Sequence, residues 1–185
     1  PRKQAKNINL GLSYGMGKAK LVKELGLNDS EAEILLAQYH EKVPFIKGLQ
    51  DQCARVAMDR GYIKTLAGRR CHFDLWEHKY DKSLPLPLEE AREKYGDVLR
   101  RSYTYKALNR LIQGSAADMT KLAMLGLWEE GIVPHVQVHD EVDISIEDDE
   151  QAATVSRIME NCVELAVPLV VDTELGPNWG STEEI

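Results

Sequence analysis

Between residues 133 and 147 the chain reads VPHVQVHDEVDISIE, an apolar–polar alternation that breaks once, at His139, Asp140 and Glu141. Alternation with period two puts successive side chains on opposite faces of an extended strand. Val136 and Val138 thus point one way and Gln137 and His139 the other. Past the break, Val142, Ile144 and Ile146 form one face, and Glu141, Asp143 and Ser145 the other. The pattern predicts a hairpin with strands near 133–138 and 141–146, its valines anchored in a core and its turn lifting two adjacent carboxylates. Carboxylates so close repel unless a cation lies between them. A hard divalent ion such as Mg²⁺ suits these oxygens and leaves places for substrate phosphates. Two such ions can clamp the attacking and leaving oxygens of a phosphoryl transfer. For the tripeptide alone, a solvated acidic turn is the plainer reading, because Asp is a common turn former.

The remaining periodicities are mostly helical. Residues 2–25 read as helix interrupted by Gly11, Gly15 and Gly17, and NDSEAEILLAQYHEKV starts an amphipathic helix with Ser30 and Glu33 in capping-box spacing. Pro44 suits the first turn of a further helix that stops at Gly61. YIKTLAGRRCHF predicts two short strands joined at Ala67-Gly68. Residues 72–98, with SLPLPLEE in their middle, predict an irregular connection with one helical turn, and residues 100–130 a long helix closed by Gly131. After the hairpin come a helix capped by Asp148 or Asp149, a strand in VPLVVDTEL and a short tail. Helices first, then an antiparallel sheet with packed helices, define an α+β architecture.

The formal net charge of −7 argues against an anionic ligand only until its distribution is read. Residues 1–70 carry 13 Lys and Arg against 7 Asp and Glu, whereas residues 122–185 carry 1 against 15. A basic N-terminal part can hold an anion while an acidic C-terminal part holds cations. Cys53, Cys71 and Cys162 fit no metal-ligand spacing and read as free thiols of a reducing cytoplasm. No apolar run has the length of a membrane span.

Arg2, Lys6, Leu10 and Tyr14 recur every four residues and share roughly one helix face. Two cations, an aliphatic residue and a ring grade that face from phosphate to sugar to base. Asn109 and Gln113 are also four apart, and such amides can read the shared acceptors of a duplex minor groove. The slim turn of Gly114, Ser115, Ala116 and Ala117 permits either close ligand approach or tight helix packing. Arg69, in Gly-Arg-Arg, suits a phosphate contact or a solvated turn.

Together RKQAKNINLGLSYG, GYIKTLAGRR, NRLIQGSAADMTKLAM, VQVHDEV and VPLVVDTELGPNW, in that order, resemble the C-terminal polymerase region of family A (polymerase-I-like) DNA polymerases of bacteria or phages. The resemblance covers most of the chain except residues 72–98. It implies helical fingers over 1–60 and a palm over 61–185 built on an antiparallel sheet, with the catalytic hairpin at 137–143. It implies catalytic roles for Asp140, Glu141 and Lys6, with Asp140 and Glu141 as Mg²⁺ ligands. Arg2 and Lys6 would hold the incoming dNTP, Leu10 would lie by its sugar, and Tyr14 and Gly15 would border the templating base. Arg69, Asn109, Gln113 and His139 would contact primer–template DNA.

The implied reaction is attack of a primer 3′-OH on the α-phosphate of a dNTP, in the cytoplasm of a bacterium or phage-infected cell. Position 10 departs from the family's usual Phe or Tyr, so discrimination at the sugar 3′ position is expected to change. The family's other metal-binding Asp lies upstream of the fingers helix, so a missing partner portion with thumb and upstream palm is expected. Two competing readings remain: a non-catalytic half of a split or remnant polymerase that binds DNA or a partner chain, and a metal-dependent phosphohydrolase using Asp140 and Glu141.

Overall fold

Side-chain caps and left-handed glycines set several helix ends in the computed structural model, which describes the backbone of residues 2–184 and the side chains at position 6 and positions 8–184. The chain divides into two units, residues 1–112 and 113–185.

The first unit opens with four helices: α1 (Arg2–Ser13), α2 (Lys18–Leu25), α3 (Asp29–Lys42) and α4 (Pro44–Arg60). Gly11 does not interrupt α1 as expected, and the helix runs on to Ser13. The capping box of α3 also lies two residues earlier than its Ser30–Glu33 spacing suggested. The Asn28 carboxamide oxygen accepts from the Glu31 amide at 2.9 Å, and the Glu31 carboxylate accepts from the Asn28 amide at 2.8 Å. Such a cap stabilises a helix by about 1 kcal/mol. Pro44 occupies the first turn of α4, and Gly61 ends it in the left-handed region at φ +78°.

Leu12, Leu21 and Ala32 are buried together and join α1, α2 and α3. A second cluster joins Cys53 and Ala57 of α4 to Ile63, Phe73, Ala107 and Leu108. Within the span of the second cluster, β1 (Tyr62–Lys64) pairs antiparallel with β2 (Arg70–His72), with Ile63 opposite Cys71.

Residues 72–98 are not the irregular connection expected. They contribute β3 (Leu75–His78), β4 (Leu86–Pro87) and α5 (Leu88–Tyr95), and β5 (Leu99–Arg101) completes a sheet in the order β4-β3-β5. Pro87 is tolerated because β4 is an edge strand, where a missing amide donor costs no ladder bond. Glu89 and Glu90 in the first turn of α5 and Arg92 and Lys94 in its last complement the helix dipole. Arg101 ties this sheet to the core. Its Nε donates to the Met58 carbonyl at 3.1 Å, its Nη1 to the Phe73 carbonyl at 2.9 Å, and its guanidinium lies 4.4 Å from the centre of the Trp76 ring.

A 3₁₀ turn at Thr104–Lys106 leads into α6 (Ala107–Glu129), so the long helix begins later than residue 100. Its first turns belong to the first unit and the rest to the second. Within the second unit Ala123, Leu127, Ile132 and Ala152 are buried. The unit continues with β6 (Val136–Val138), β7 (Glu141–Asp143) and α7 (Asp149–Glu160), whose cap is Asp148 accepting from the Gln151 amide at 2.8 Å. Of the expected strand over VPLVVDTEL only the last two residues are extended in a ladder, as β8 (Glu174–Leu175) paired with β9 (Glu183–Glu184). Residues 167–173 are held by side chains of α7 instead: the Glu160 carboxylate accepts from the Val171 amide at 3.2 Å, and Ser156 Oγ meets Thr173 Oγ1 at 2.8 Å.

Candidate nucleotidyl-transfer site

The hairpin forms where the alternation predicts, but its strands, Val136–Val138 and Glu141–Asp143, are shorter than the expected 133–138 and 141–146, and its apolar residues are differently disposed. Val136 pairs with Asp143, Gln137 with Val142 and Val138 with Glu141. Directly opposed residues share a face. The valines of β6 therefore lie on the face of Glu141 and Asp143, while Val142 shares the other face with Gln137. Val136 and Val138 are 41% and 39% exposed, so they do not anchor the ribbon in a core as expected. With the two strands' apolar residues on opposite sides, neither face of the ribbon is wholly apolar.

What fixes the turn is local. His139 and Asp140 form a two-residue loop, and His139 takes φ +57°, a left-handed conformation in which His, Asn and Asp are enriched among non-glycine residues. Holding it costs on the order of 1 kcal/mol. The Gln137 carboxamide donates to the His139 carbonyl, and the ladder is extended by the His135 amide, which donates to the Asp143 carbonyl at 2.9 Å. Asp140 and Glu141 are exposed at the tip. Among the described residues neither carboxylate has an ion-pair or hydrogen-bond partner. Cations are scarce nearby in sequence, since residues 122–185 contain one, Arg157. Among the described residues no group of three metal-ligating side chains forms. The pair still fits Mg²⁺ by donor chemistry, because that ion typically takes one or two carboxylates and completes its shell with water and phosphate.

In the first unit, α1 buries Leu12 and half-buries Ile8 on one side, which turns Lys6 and Leu10 outward. Leu10 is 43% exposed. The Arg2 side chain lies outside the described residues. Tyr14 follows the last turn of α1, its amide donating to Leu10 and Gly11 carbonyls at 3.1 and 3.2 Å, and Gly15 turns the chain at φ +83°. Thus Lys6, Leu10 and Tyr14 stand in order along one exposed helix and its exit.

Arg69 is exposed at the tip of the β1–β2 hairpin, its amide donating to Thr65 Oγ1 at 3.0 Å. Arg110 holds that hairpin to α6: Nη1 donates to the His72 carbonyl at 2.6 Å, and the guanidinium lies 4.4 Å from the Phe73 ring centre. Asn109, half-buried, and Gln113, exposed, are four apart on α6. The slim turn presents Ala116 and Ala117 outward while Ser115 and Asp118 are buried.

Two residues that sequence reasoning passed over brace the end of α1. Gln50 of α4 donates from Nε2 to the carbonyls of Leu12 and Ser13 at 2.9 and 2.8 Å. The Tyr39 hydroxyl of α3 lies 2.9 Å from Ser13 Oγ. Nothing in local spacing signals either contact, because each joins helices far apart in sequence.

Comparison with known proteins extends the likeness over nearly all of the chain. The family model described as DNA polymerase family A matches residues 1–181. A DNA-directed DNA polymerase of Pseudomonas phage M6 is 38% identical over 97% of the chain, which covers 29% of that protein. The thermostable DNA polymerase I of Thermus aquaticus is 34% identical over 99% of the chain and is covered to 21%. Among solved structures, the POL domain of Pol1 from M. smegmatis, in complex with DNA primer-template and dNTP, matches with a TM-score of 0.70 and 28% identity, over 91% of this chain and 28% of that one. The chain thus spans about a fifth to three tenths of the length of the curated relatives described.

Proposed function

The chain belongs to DNA polymerase family A, and on that premise we propose that it forms the fingers, residues 1–60, and the C-terminal palm, residues 61–185, of a DNA-directed DNA polymerase. Its substrates in this reading are a dNTP and a primer–template, in the cytoplasm of a bacterium or of a phage-infected cell. It works with the polymerase portion that supplies the thumb and the second metal-binding Asp. One observation carries the proposal: the residues matched to the family include an acidic turn that, among the described residues, has no protein cation to neutralise it.

The chemistry follows from the side chains. Lys6, with Arg2 one turn before it, binds the anionic triphosphate from α1, and Lys6 offsets charge on the departing pyrophosphate. Leu10 packs against the sugar with an aliphatic chain in place of a ring. Tyr14 and Gly15 border the templating base at the exit of α1. His139 lies by the primer terminus, Asn109 and Gln113 reach the minor groove, and Arg69 touches the sugar–phosphate backbone. Asp140 and Glu141 hold Mg²⁺. When bound, the ion lowers the barrier by stabilising charge on the reacting phosphate oxygens. The primer 3′-oxygen forms a bond to the α-phosphorus as the bond to pyrophosphate breaks, with the line of attack set by the groups that hold dNTP and primer.

The test is extension of a labelled primer on a longer template by the polymerase containing this chain, with dNTPs and Mg²⁺. Lengthening is the expected result. Shortening would instead mark a phosphohydrolase, and DNA binding without either change a non-catalytic module.

A further inference from the structure

The last carbonyls of a helix have no intrahelical partner, so the direction in which a chain leaves it depends on what else binds them. At the end of α1 that partner is a side chain from another helix. Gln50 Nε2 carries two hydrogens and directs them to Leu12 and Ser13 carbonyls at 2.9 and 2.8 Å. Ser13 Oγ gives its one proton to the Asn9 carbonyl at 2.8 Å, so at 2.9 Å the Tyr39 hydroxyl is the donor to Ser13. Immediately beyond come Tyr14 and Gly15, the latter at φ +83° with its amide donating to the Leu12 carbonyl at 3.1 Å. The α4 helix that carries Gln50 is itself fixed by Cys53 and Ala57 in the cluster with Phe73 and Leu108.

We infer that Gln50, with Tyr39 beside it, is a positioning residue that sets the Tyr14–Gly15 turn and through it the choice of the incoming nucleotide. The inference rests on the polymerase reading. Gln50 touches neither nucleotide nor primer in this account; it fixes where Tyr14 stands when a base pair is tested. Gln50→Met keeps much of the side-chain volume and removes both donors. Tyr39→Phe removes only the second brace.

The experiment is single-turnover incorporation of matched and mismatched dNTPs by the complete polymerase, alongside thermal unfolding. Gln50→Met should lower the matched-to-mismatched ratio about three- to tenfold, the scale set by one hydrogen bond of ordinary net strength. Tyr39→Phe should lower it less. Ala91→Gly, in the middle of α5 and away from both α1 and α4, should reduce the unfolding temperature and leave the ratio unchanged. A Gln50→Met enzyme that extends primers with the parent's ratio overturns the inference alone, as does an equal loss in Ala91→Gly. A parent that cannot extend a primer overturns the polymerase reading and takes this inference with it. Should Gln50→Met not fold, an unchanged ratio in Tyr39→Phe is the overturning result.

Discussion

Arg100 and Arg101 are neighbours on β5, and replacing each by Met should have very different consequences. Arg101 is half-buried and donates to two backbone carbonyls, Met58 and Phe73, while stacking on Trp76. Hydrogen bonds from a charged donor contribute roughly 1.5–3 kcal/mol each, and a cation over a ring contributes about 0.5–2 kcal/mol. These terms share one side chain and do not add fully, and a Met stem recovers part of the packing. A net loss of about 3 kcal/mol is therefore expected for Arg101→Met. Arg100 is exposed and makes one ion pair, Nε to the Glu77 carboxylate at 2.8 Å. Exposed pairs contribute under about 1 kcal/mol, so Arg100→Met should be nearly silent. Urea unfolding followed by tryptophan fluorescence measures both, with stability extrapolated linearly to water. Equal midpoints for the two variants would refute the claim that Arg101 fastens the β4-β3-β5 sheet to α4.

Two further predictions concern the side of α1 proposed to face the nucleotide, and are read in the complete polymerase. Lys6→Ala should raise the dNTP concentration for half-maximal extension about tenfold or more, the scale of one lost charge-assisted contact. Unchanged dependence on dNTP concentration would count against that role. Leu10→Phe should shift the ratio of dideoxy- to deoxynucleotide incorporation by about threefold or more, as expected for one added aromatic packing contact. An unaltered ratio would remove Leu10 from the sugar site.

Legibility in the sequence followed the range of the interactions involved. The β6–β7 turn and the end of α4 at Gly61 were readable because residues within a few positions decide them. The faces of the hairpin were not. Alternation fixes the faces within one strand, whereas the register that sets Val138 against Glu141 fixes them between strands. Residues 72–98 escaped because strands of two to four residues are too short to express a period, and Pro85 and Pro87 read as breakers where one forms an edge strand. VPLVVDTEL looked like a strand from composition, yet bonds from Ser156 and Glu160 hold much of it along α7. Asn28 displaced Ser30 as the helix cap because both spacings satisfy the same motif, and only the backbone conformation at residue 28 decides between them. The exposed face of α1 was legible from its four-residue spacing, but Gln50 and Tyr39, which hold its end, were not, since both contacts are long-range.

Asp140→Ala in the complete polymerase tests most directly the proposal that Asp140 is a ligand for the ion at which nucleotidyl transfer occurs. Primer–template affinity, measured by fluorescence anisotropy, should stay within about threefold, because an exposed acidic side chain contributes no attraction to phosphate. Single-turnover extension with saturating dNTP and Mg²⁺ should fall below detection. Extension within about tenfold of the parent, a loss of only about 1.4 kcal/mol in the barrier, would contradict the account.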